Sequence, residues 1–341
     1  LHNAAWPGIV GKGTPDSEPI IPLDTLLKMT AGADVGGQKF DGIDLFVTSP
    51  HFDIDSDAGA VRKMSDHIAS YGLKVGSFVA PIWGGAGGGS AMGDAADVKR
   101  FLTQVRKACA IGQQMREIGI RPTGGVRMDS SVGVEAWDKD PEGNTKRIAE
   151  TFREAGRIAQ DYDEYLVIEG EICWGGMHSW RENVKLLEMV GMPGVVGYQA
   201  DMAHSMLFVL GANAEKDRLL PKDYDWKDRA ALDTAYHKVA DALRPWTYDF
   251  HVAQNDGTVF GSGDHEKTGR HVQATDPNGK LDIAKHAGYW LRDDQGNLTK
   301  KIRHLSWDGC MFPNAVMQQQ QTWNDVLGAM LKVRDAHGWR E

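Results

Sequence analysis

The chain has 341 residues, of which 41% are hydrophobic and 25% charged, as is usual for a globular enzyme. Its net charge of −9 argues against a nucleic-acid groove and against docking on an anionic membrane, since both need clustered basic residues. The three cysteines, Cys109, Cys173 and Cys310, form no CxxC pair, so the sequence indicates neither a zinc ribbon nor a disulfide framework.

The sequence carries no sign of a membrane segment. No apolar run approaches the roughly 18 residues of a membrane span, and the start shows no secretory signal. We therefore expect a cytoplasmic protein. Because the chain begins at Leu1 rather than at methionine, a processed leader and a periplasmic location stay open as the alternative.

Short apolar runs alternate with longer helical patterns, which is typical of βα units and a parallel sheet. The predicted strands are Gly42–Thr48, Lys74–Ala80, Gly125–Asp129, Tyr165–Glu171, Val195–Asp201, Thr247–Val252 and Ile302–Asp308. An eighth strand is expected near Ala4–Val10, although Trp6-Pro7-Gly8 interrupts it, because a barrel must close. We therefore predict a (β/α)₈ TIM barrel of the α/β class, one domain over residues 1–341 with long βα loops.

Three connections are long, and each follows the carboxyl end of a predicted strand. They are Gly84–Gly89, Ser205–Lys227 and Gln254–Lys280. Long connections without secondary structure are usually functional lids or disordered segments, and this end of a barrel is where active sites are built. Gly84–Gly89 lacks the GK[ST] of a P-loop, so we expect a mobile lid there rather than a phosphate cradle.

Acidic residues and histidine stand at the ends of four successive predicted strands. Glu169 and Glu171 share one face of their strand, because strand side chains alternate. Asp201, His251 and Asp308 stand at the ends of the next three. Taken singly, each has an ordinary explanation: solvated acids for the glutamates, a helix N-cap for Asp201, and a hydrogen-bonded core histidine for His251. Together they indicate mixed carboxylate and imidazole coordination of Mn²⁺, Mg²⁺, Co²⁺ or Zn²⁺, with zinc less favoured because no thiolate takes part.

Several stretches, in this order and spacing, resemble the sugar phosphate isomerase/epimerase family of xylose-isomerase-like TIM barrels. They are FDGIDLF (40–46), YGLKVGSFVA (71–80), VIEGE (167–171), ADMAH (200–204), DFHVAQND (249–256), NGKLDI (278–283) and HLSWDG (304–309). In that family a Glu, an Asp, a His and a final Glu bind one divalent metal. The resemblance implies Glu171, with Glu169 as the alternative, and Asp201, His251 and Asp308 as ligands of one ion, with Mn²⁺ as the first candidate.

The sequence departs from the family pattern in two places. The last ligand position holds Asp308 rather than a glutamate, which argues against an epimerisation that uses both metal-bound glutamates as bases. The arginine that often follows the metal histidine is replaced by Gln254-Asn255-Asp256-Gly257, so a neutral sugar is expected rather than a sugar phosphate.

The resemblance implies a metal-dependent isomerase or epimerase that acts on a ketose or keto-sugar through a metal-stabilised enediolate. The candidate catalytic residues are Glu171, Glu169, His204, which in the family contacts substrate, and His51 in SPHFD (49–53). Alternatives are a lyase, either a 3-keto-glycoside β-eliminase or hydratase or a C-glycoside deglycosidase, and a non-catalytic sugar-binding barrel. The expected partner is a small-molecule sugar, with a homo-oligomer or a small partner subunit also open.

Overall fold

The computed structural model describes residues 1–260, 268–299, 301–302 and 304–337. Eight parallel strands close into a barrel: β1 (His2–Ala4), β2 (Gly42–Phe46), β3 (Lys74–Val79), β4 (Val126–Met128), β5 (Leu166–Glu169), β6 (Val196–Asp201), β7 (Thr247–Val252) and β10 (Leu305–Trp307). Around the barrel they lie in the order β1-β10-β7-β6-β5-β4-β3-β2. The predicted (β/α)₈ barrel is therefore confirmed, and each of the seven predicted strands contains an observed one.

The strand that closes the barrel lies earlier than predicted. β1 pairs through His2 with Gly42 of β2 on one side and with Ser306 of β10 on the other. The segment expected to be a strand instead turns into a short 3₁₀-helix, Trp6–Gly8, with Pro7 inside it. Proline fixes its own backbone and has no N–H to donate to a ladder, so the strand ends before it.

Eleven helices are described: α1 (Leu23–Gly32), α2 (Ala58–Ser70), α3 (Ala95–Ile118), α4 (Val134–Trp137), α5 (Pro141–Asp161), α6 (Trp180–Val190), α7 (Met202–Val209), α8 (Arg229–Leu243), α9 (Ile283–Leu291), α10 (Asn314–Met317) and α11 (Gln320–His337). Aspartate or serine side chains cap several of them, as Asp94 does for α3 by accepting from Ala96 N and Asp97 N. None of the described helices combines the length and the apolar character that crossing a bilayer requires.

Two long connections have structure of their own, contrary to expectation. The segment after β6 begins with helix α7, and the segment after β7 forms an antiparallel hairpin of β8 (Gln254–Phe260) and β9 (Thr268–Val272). Residues 261–267, at the tip of that connection, lie outside the described residues. The hairpin register sets His271 opposite Asn255, which returns the histidine toward the barrel.

A network of buried polar side chains lies inside the barrel, deeper than the carboxyl ends of the strands. His304 lies between two carboxylates, with its Nδ1 2.7 Å from Asp249 Oδ1 and its Nε2 2.8 Å from Asp44 Oδ1. His2 Nδ1 lies 3.0 Å from the same Asp44 oxygen, and Ser77 Oγ donates to Asp249 Oδ2 at 2.5 Å. Burial works against the charged ring of His304, but Asp44 and Asp249 outweigh it and raise the pKa of His304 to about 9.

Candidate metal centre

Four side chains from the carboxyl ends of four neighbouring strands meet at one point. Glu169 ends β5, Asp201 ends β6, His251 lies in β7, and Asp308 follows β10. One potential ligand atom from each lies within 4.8 Å of those from the other three. His251 Nδ1 is 3.2 Å from Glu169 Oε1, 3.5 Å from Asp308 Oδ2 and 3.8 Å from Asp201 Oδ2. All four residues are buried.

The cluster holds three carboxylates and one imidazole, and neighbouring positive groups act on it. Burial opposes a protonated His251, yet hydrogen bonding and charge from Asp308 and Glu169 raise its pKa well above the ordinary value. The pKa values of Asp201 and Asp308 are lowered despite their burial, Asp201 chiefly by the charge of His204 and Asp308 chiefly by that of His271. The three buried carboxylates are thus compensated by His251 and by positive groups beside the cluster, with His271 Nε2 3.4 Å from Asp201 Oδ2 and Arg127 Nη2 2.7 Å from Glu169 Oε2.

The donor set fits a divalent ion. Within the described part of the chain, Glu169 Oε1 and both ring nitrogens of His251 are buried without a hydrogen bond of ordinary geometry. Buried polar atoms without a hydrogen bond of ordinary geometry still have bonding capacity to offer, and a bound cation could use it. Three carboxylate oxygens and one imidazole nitrogen form the mixed set that Mn²⁺, Zn²⁺ and similar ions accept.

The geometry favours Glu169 over Glu171 in this cluster, which differs from the first choice made from the sequence. Arg127 Nη2 donates to Glu171 Oε1 at 2.5 Å and contacts Glu169 Oε2 at 2.7 Å. Trp174 Nε1 also donates to Glu171 Oε1, at 3.3 Å. Glu171 lies beyond the end of β5 and is held to this side, whereas Glu169 keeps Oε1 turned toward His251.

Asp201 has two functions at once. Its Oδ1 caps helix α7 by accepting from Ala203 N and His204 N, in agreement with the N-cap interpretation of this residue. Its Oδ2 faces His251 and lies 3.4 Å from His271 Nε2. The cap fixes the rotation of the carboxylate, so that one oxygen points into the cluster.

A narrow cavity adjoins the cluster. Its lining consists of Trp6, Val10, Phe46, Val79, Trp83, Arg127, Glu169, Glu171, His204, Asp308, Cys310 and Met311. The lining therefore combines apolar side chains with acidic groups. The free volume is about 20 Å³, the room of about one water molecule, so a sugar enters only if part of the wall moves.

The structure brings three of the four candidate catalytic residues to this cavity. Glu169, Glu171 and His204 line it, and His204 Nε2 lies 3.9 Å from both Glu169 Oε1 and Glu171 Oε2. His51 does not line it; its Nε2 lies 2.6 Å from the backbone oxygen of Ile21. Burial lowers the pKa of His51, so its ring is neutral and bound to the backbone.

The glycine-rich connection after β3 is fastened to its surroundings, which does not fit a freely mobile lid. The backbone N–H groups of Ala86, Gly87, Gly88 and Gly89 all donate to nearby carbonyls. The side chain of Gln104 in α3 donates to Ala86 O at 3.0 Å. These amides are therefore already engaged and do not form a phosphate cradle. The turn instead fixes Trp83, which stacks on Trp174 with ring centroids 6.3 Å apart.

Two site residues did not emerge from the sequence. Arg127 is a charged residue between Val126 and Met128 in a short apolar strand, and that interruption was a usable signal for an inward-facing charge. His271 gave no such signal. Its ring lies 5.1 Å from that of His204, and only the hairpin register brings it there.

Comparison with solved structures finds the same barrel at low sequence identity. A D-tagatose 3-epimerase-like protein is 11% identical with a TM-score of 0.59, covering 92% of this chain and 97% of that one. The 3-keto-D-glucoside 4-epimerase from E. coli, in apo form, is 14% identical with a TM-score of 0.53, covering 94% and 97%. The IOLI protein, with a bound zinc atom, is 12% identical with a TM-score of 0.58, covering 99% and 98%. At these identities the likeness shows the fold alone.

Sequence comparison identifies the family. No curated protein matches the chain significantly. A family model, described as the xylose isomerase-like TIM barrel, matches residues 31–287, which is most of the chain. Together with the closed parallel barrel, this match shows that the chain belongs to the xylose isomerase-like TIM barrel family.

Proposed function

We propose that the protein is a divalent-metal-dependent isomerase or epimerase that acts on a ketose or keto-sugar. The observation that carries the proposal is the cluster of Glu169, Asp201, His251 and Asp308 at the wall of a cavity that also exposes Glu171. These four residues could bind one cation, and Glu171, which is not one of the four, lies beside them. This is the arrangement that metal-assisted removal of a proton next to a carbonyl requires.

The residues divide between holding the ion and moving a proton. When bound, a divalent ion would polarise a substrate carbonyl and acidify the neighbouring C–H bond. Glu171 is the proposed base. Arg127 and Trp174 hold its Oε1, while its Oε2 faces His204. His204, between the two glutamates, is placed to bind a substrate hydroxyl or to return a proton.

The cavity favours a reaction with one carboxylate base. In the described lining, Glu171 is the single carboxylate outside the four-residue cluster. The short Asp308 is held by Cys310 N at 2.7 Å and does not reach across the cavity as a longer side chain could. Proton transfer between adjacent carbons on one face of the substrate needs only one base, whereas inversion by two bases needs a second on the opposite face.

The same observation supports a second candidate, β-elimination from a 3-keto-glycoside. Elimination also needs one base, with a weak acid nearby to assist the leaving group. Glu171 and His204 could fill these roles, because His204 Nε2 lies 3.9 Å from Glu171 Oε2. The two candidates share the first proton removal and differ only in the fate of the enediolate, which is either reprotonated or expels the leaving group.

The charge of the site favours a neutral substrate. Arg127 is the one arginine or lysine in the described lining, and Glu169 and Glu171 already hold it. The amides of residues 86–89 in the glycine-rich turn donate to nearby carbonyls. A phosphate would thus meet carboxylates without an unengaged cation apart from the metal.

The comparisons agree with this proposal in outline. Two structural neighbours bear the names of epimerases, one of them for a keto-glucoside, and a third neighbour carries zinc. By analogy we propose one ion per chain, with Mn²⁺ as the first candidate and Mg²⁺, Co²⁺ and Zn²⁺ as the others.

The test combines metal binding with isotope exchange. Protein stripped with EDTA is titrated with Mn²⁺ and with Zn²⁺ by calorimetry. The loaded protein is then incubated in D₂O with a panel of free ketoses and 3-keto-glucosides, and C–H exchange is monitored by NMR. We expect about one ion per chain, and exchange into a ketose without loss of a leaving group. Release of an aglycone from a 3-keto-glucoside alone would instead establish the lyase.

Three glutamine variants separate the proposed roles. Glu169→Gln should weaken metal binding at least about 100-fold, because it removes a direct ligand. Glu171→Gln should retain the metal but slow exchange about 10²- to 10⁴-fold, as expected for loss of a general base. Glu188→Gln, on the exposed face of α6, is the matched control. A wild type that binds no metal and catalyses no C–H exchange would leave the non-catalytic sugar-binding barrel as the better hypothesis.

A further inference from the structure

The carboxylate of Asp308 is held at both oxygens, although the side chain is short. Its Oδ1 accepts from Cys310 N at 2.7 Å, which ties it to the turn after β10. Its Oδ2 is the oxygen that faces His251, at 3.5 Å from Nδ1. The direction of Oδ2 therefore decides whether Asp308 contributes to the cluster.

An indole from the opposite end of the chain fixes that oxygen. Trp6 Nε1 donates to Asp308 Oδ2 at 3.1 Å, across a sequence separation of 302 residues. The Trp6 ring also lies over the His251 ring, with centroids 5.2 Å apart and planes inclined by 34°. Trp6 thus contacts two of the four members of the cluster, and it is itself buried.

The local fold places Trp6 with little freedom. It begins the 3₁₀-helix that comes after β1, and Gly8 N donates to Ala5 O within that turn. Gly8 packs so tightly that a Cβ there would lie 2.7 Å from the side chain of Leu26. The end of the turn is also fixed, because Gly8 O accepts a hydrogen bond from Ile21 N. The indole is therefore held in place before any ligand binds.

Each carboxylate of the cluster has a donor of its own. Backbone amides at the start of α7 hold Asp201, and Arg127 holds Glu169. For Asp308, the donor to the oxygen that faces the cluster is Trp6. Groups that hydrogen-bond to a metal ligand orient it and tune its basicity, and their loss typically weakens metal binding 10- to 100-fold.

We propose that Trp6 is a positioning residue for the metal centre, which acts by holding Asp308 Oδ2 toward His251. The proposal rests on the proposed function, because it assigns Trp6 to the same ion. The hydrogen bond lets a short aspartate serve where the family pattern has a longer glutamate. The Trp6 ring also contacts the His251 ring and forms part of the cavity lining.

The test is a double-mutant cycle on metal affinity, measured with Mn²⁺ and Zn²⁺ alone by calorimetry on the stripped full-length chain. Trp6→Phe removes the N–H and keeps an aromatic ring. It should weaken metal binding 10- to 100-fold in the wild-type background and by less than about twofold in the Asp308→Ala background, because Asp308 is the intermediary. The visible spectrum of the Co²⁺-loaded protein should change in Trp6→Phe as well.

Trp180→Phe is the matched control, since it removes an indole N–H that donates to Asp217 O and touches neither the cluster nor the described cavity lining. It should leave metal affinity within about twofold of the wild type. If Trp6→Phe does not fold, Trp6→Met repeats the test with a flexible apolar side chain. Equal losses in the wild-type and Asp308→Ala backgrounds, or no loss in either, would overturn the proposal. A wild type that binds no metal would overturn the proposed function as well.

Discussion

The position of His304 between two buried aspartates predicts how the free energy of unfolding depends on pH. The pKa of His304 is raised from the ordinary 6.5 to about 9. A folded-state pKa above the unfolded value means that the protonated ring stabilises the fold fully below pH 6.5 and that this contribution is lost as pH rises through 9. The difference corresponds to about 3 kcal/mol, of which about 2 kcal/mol is lost between pH 7.5 and pH 10.

His304→Gln isolates this effect, because glutamine does not titrate. Urea unfolding of the wild type and of His304→Gln is monitored by circular dichroism from pH 7.5 to pH 10. At pH 7.5 the variant should be less stable by about 3 to 5 kcal/mol, because Asp44 and Asp249 are left buried without their cation. Toward pH 10 the gap between the two proteins should shrink by about 2 kcal/mol.

The comparison of two proteins is needed because His271, whose pKa is also raised to about 9, titrates in the same range. Its contribution cancels in the difference. His178→Gln serves as the control, since burial lowers the pKa of His178 and its ring stays neutral throughout. A gap between wild type and His304→Gln that stays constant within about 0.5 kcal/mol from pH 7.5 to pH 10 would falsify the assignment of a charged ring.

Three further measurements test other parts of the structure. Gly88→Ala should destabilise the fold by more than about 2 kcal/mol in thermal unfolding, because its Cβ would lie 1.9 Å from Ile82 O. Gly85→Ala, with nothing within 4 Å, should change stability by less than about 0.5 kcal/mol, and equal effects would contradict the packing described. Asp94→Ala removes the cap of α3 and should cost about 1 kcal/mol by urea unfolding; no change would mean that the cap contributes nothing. Mn²⁺ at 100 times its dissociation constant should stabilise the protein by about 2.7 kcal/mol and raise its melting temperature, which EDTA should reverse; a melting temperature indifferent to metal would argue against the centre.

The barrel could be predicted from the sequence because its strands are short apolar runs that end in polar residues. Strand alternation also placed Asp201, His251 and Asp308 at one end of the barrel, and the structure brings them together. The closing strand was misplaced because it was inferred from the need to close the barrel, with Trp6-Pro7-Gly8 already interrupting the pattern. The observed strand, His2–Ala4, ends before that interruption, as the ring of Pro7 requires.

The finer arrangement of the site was beyond the sequence for a physical reason. Glu169 and Glu171 have the same parity in their strand, so alternation cannot separate them. Their positions relative to His251 separate them, since Glu169 Oε1 lies 3.2 Å from His251 Nδ1, and His251 belongs to another strand. The position of His271 could not be predicted for the same reason, because it depends on the pairing of two strands in a hairpin. Contacts of this kind depend on register between elements, and a local pattern does not encode that register.

The bond between Trp6 and Asp308 has a consequence for how the protein is made. Its two partners are 302 residues apart, so at about 5 to 20 residues per second the ribosome needs roughly 15 to 60 seconds to supply the second after the first. The first strand can pair with the second early in synthesis, but its other edge waits for the last strand. Until then the nascent chain has an open sheet edge and an incomplete cluster. Binding of the proposed metal would therefore be one of the last steps of folding, and metal binding during synthesis would report on closure of the barrel.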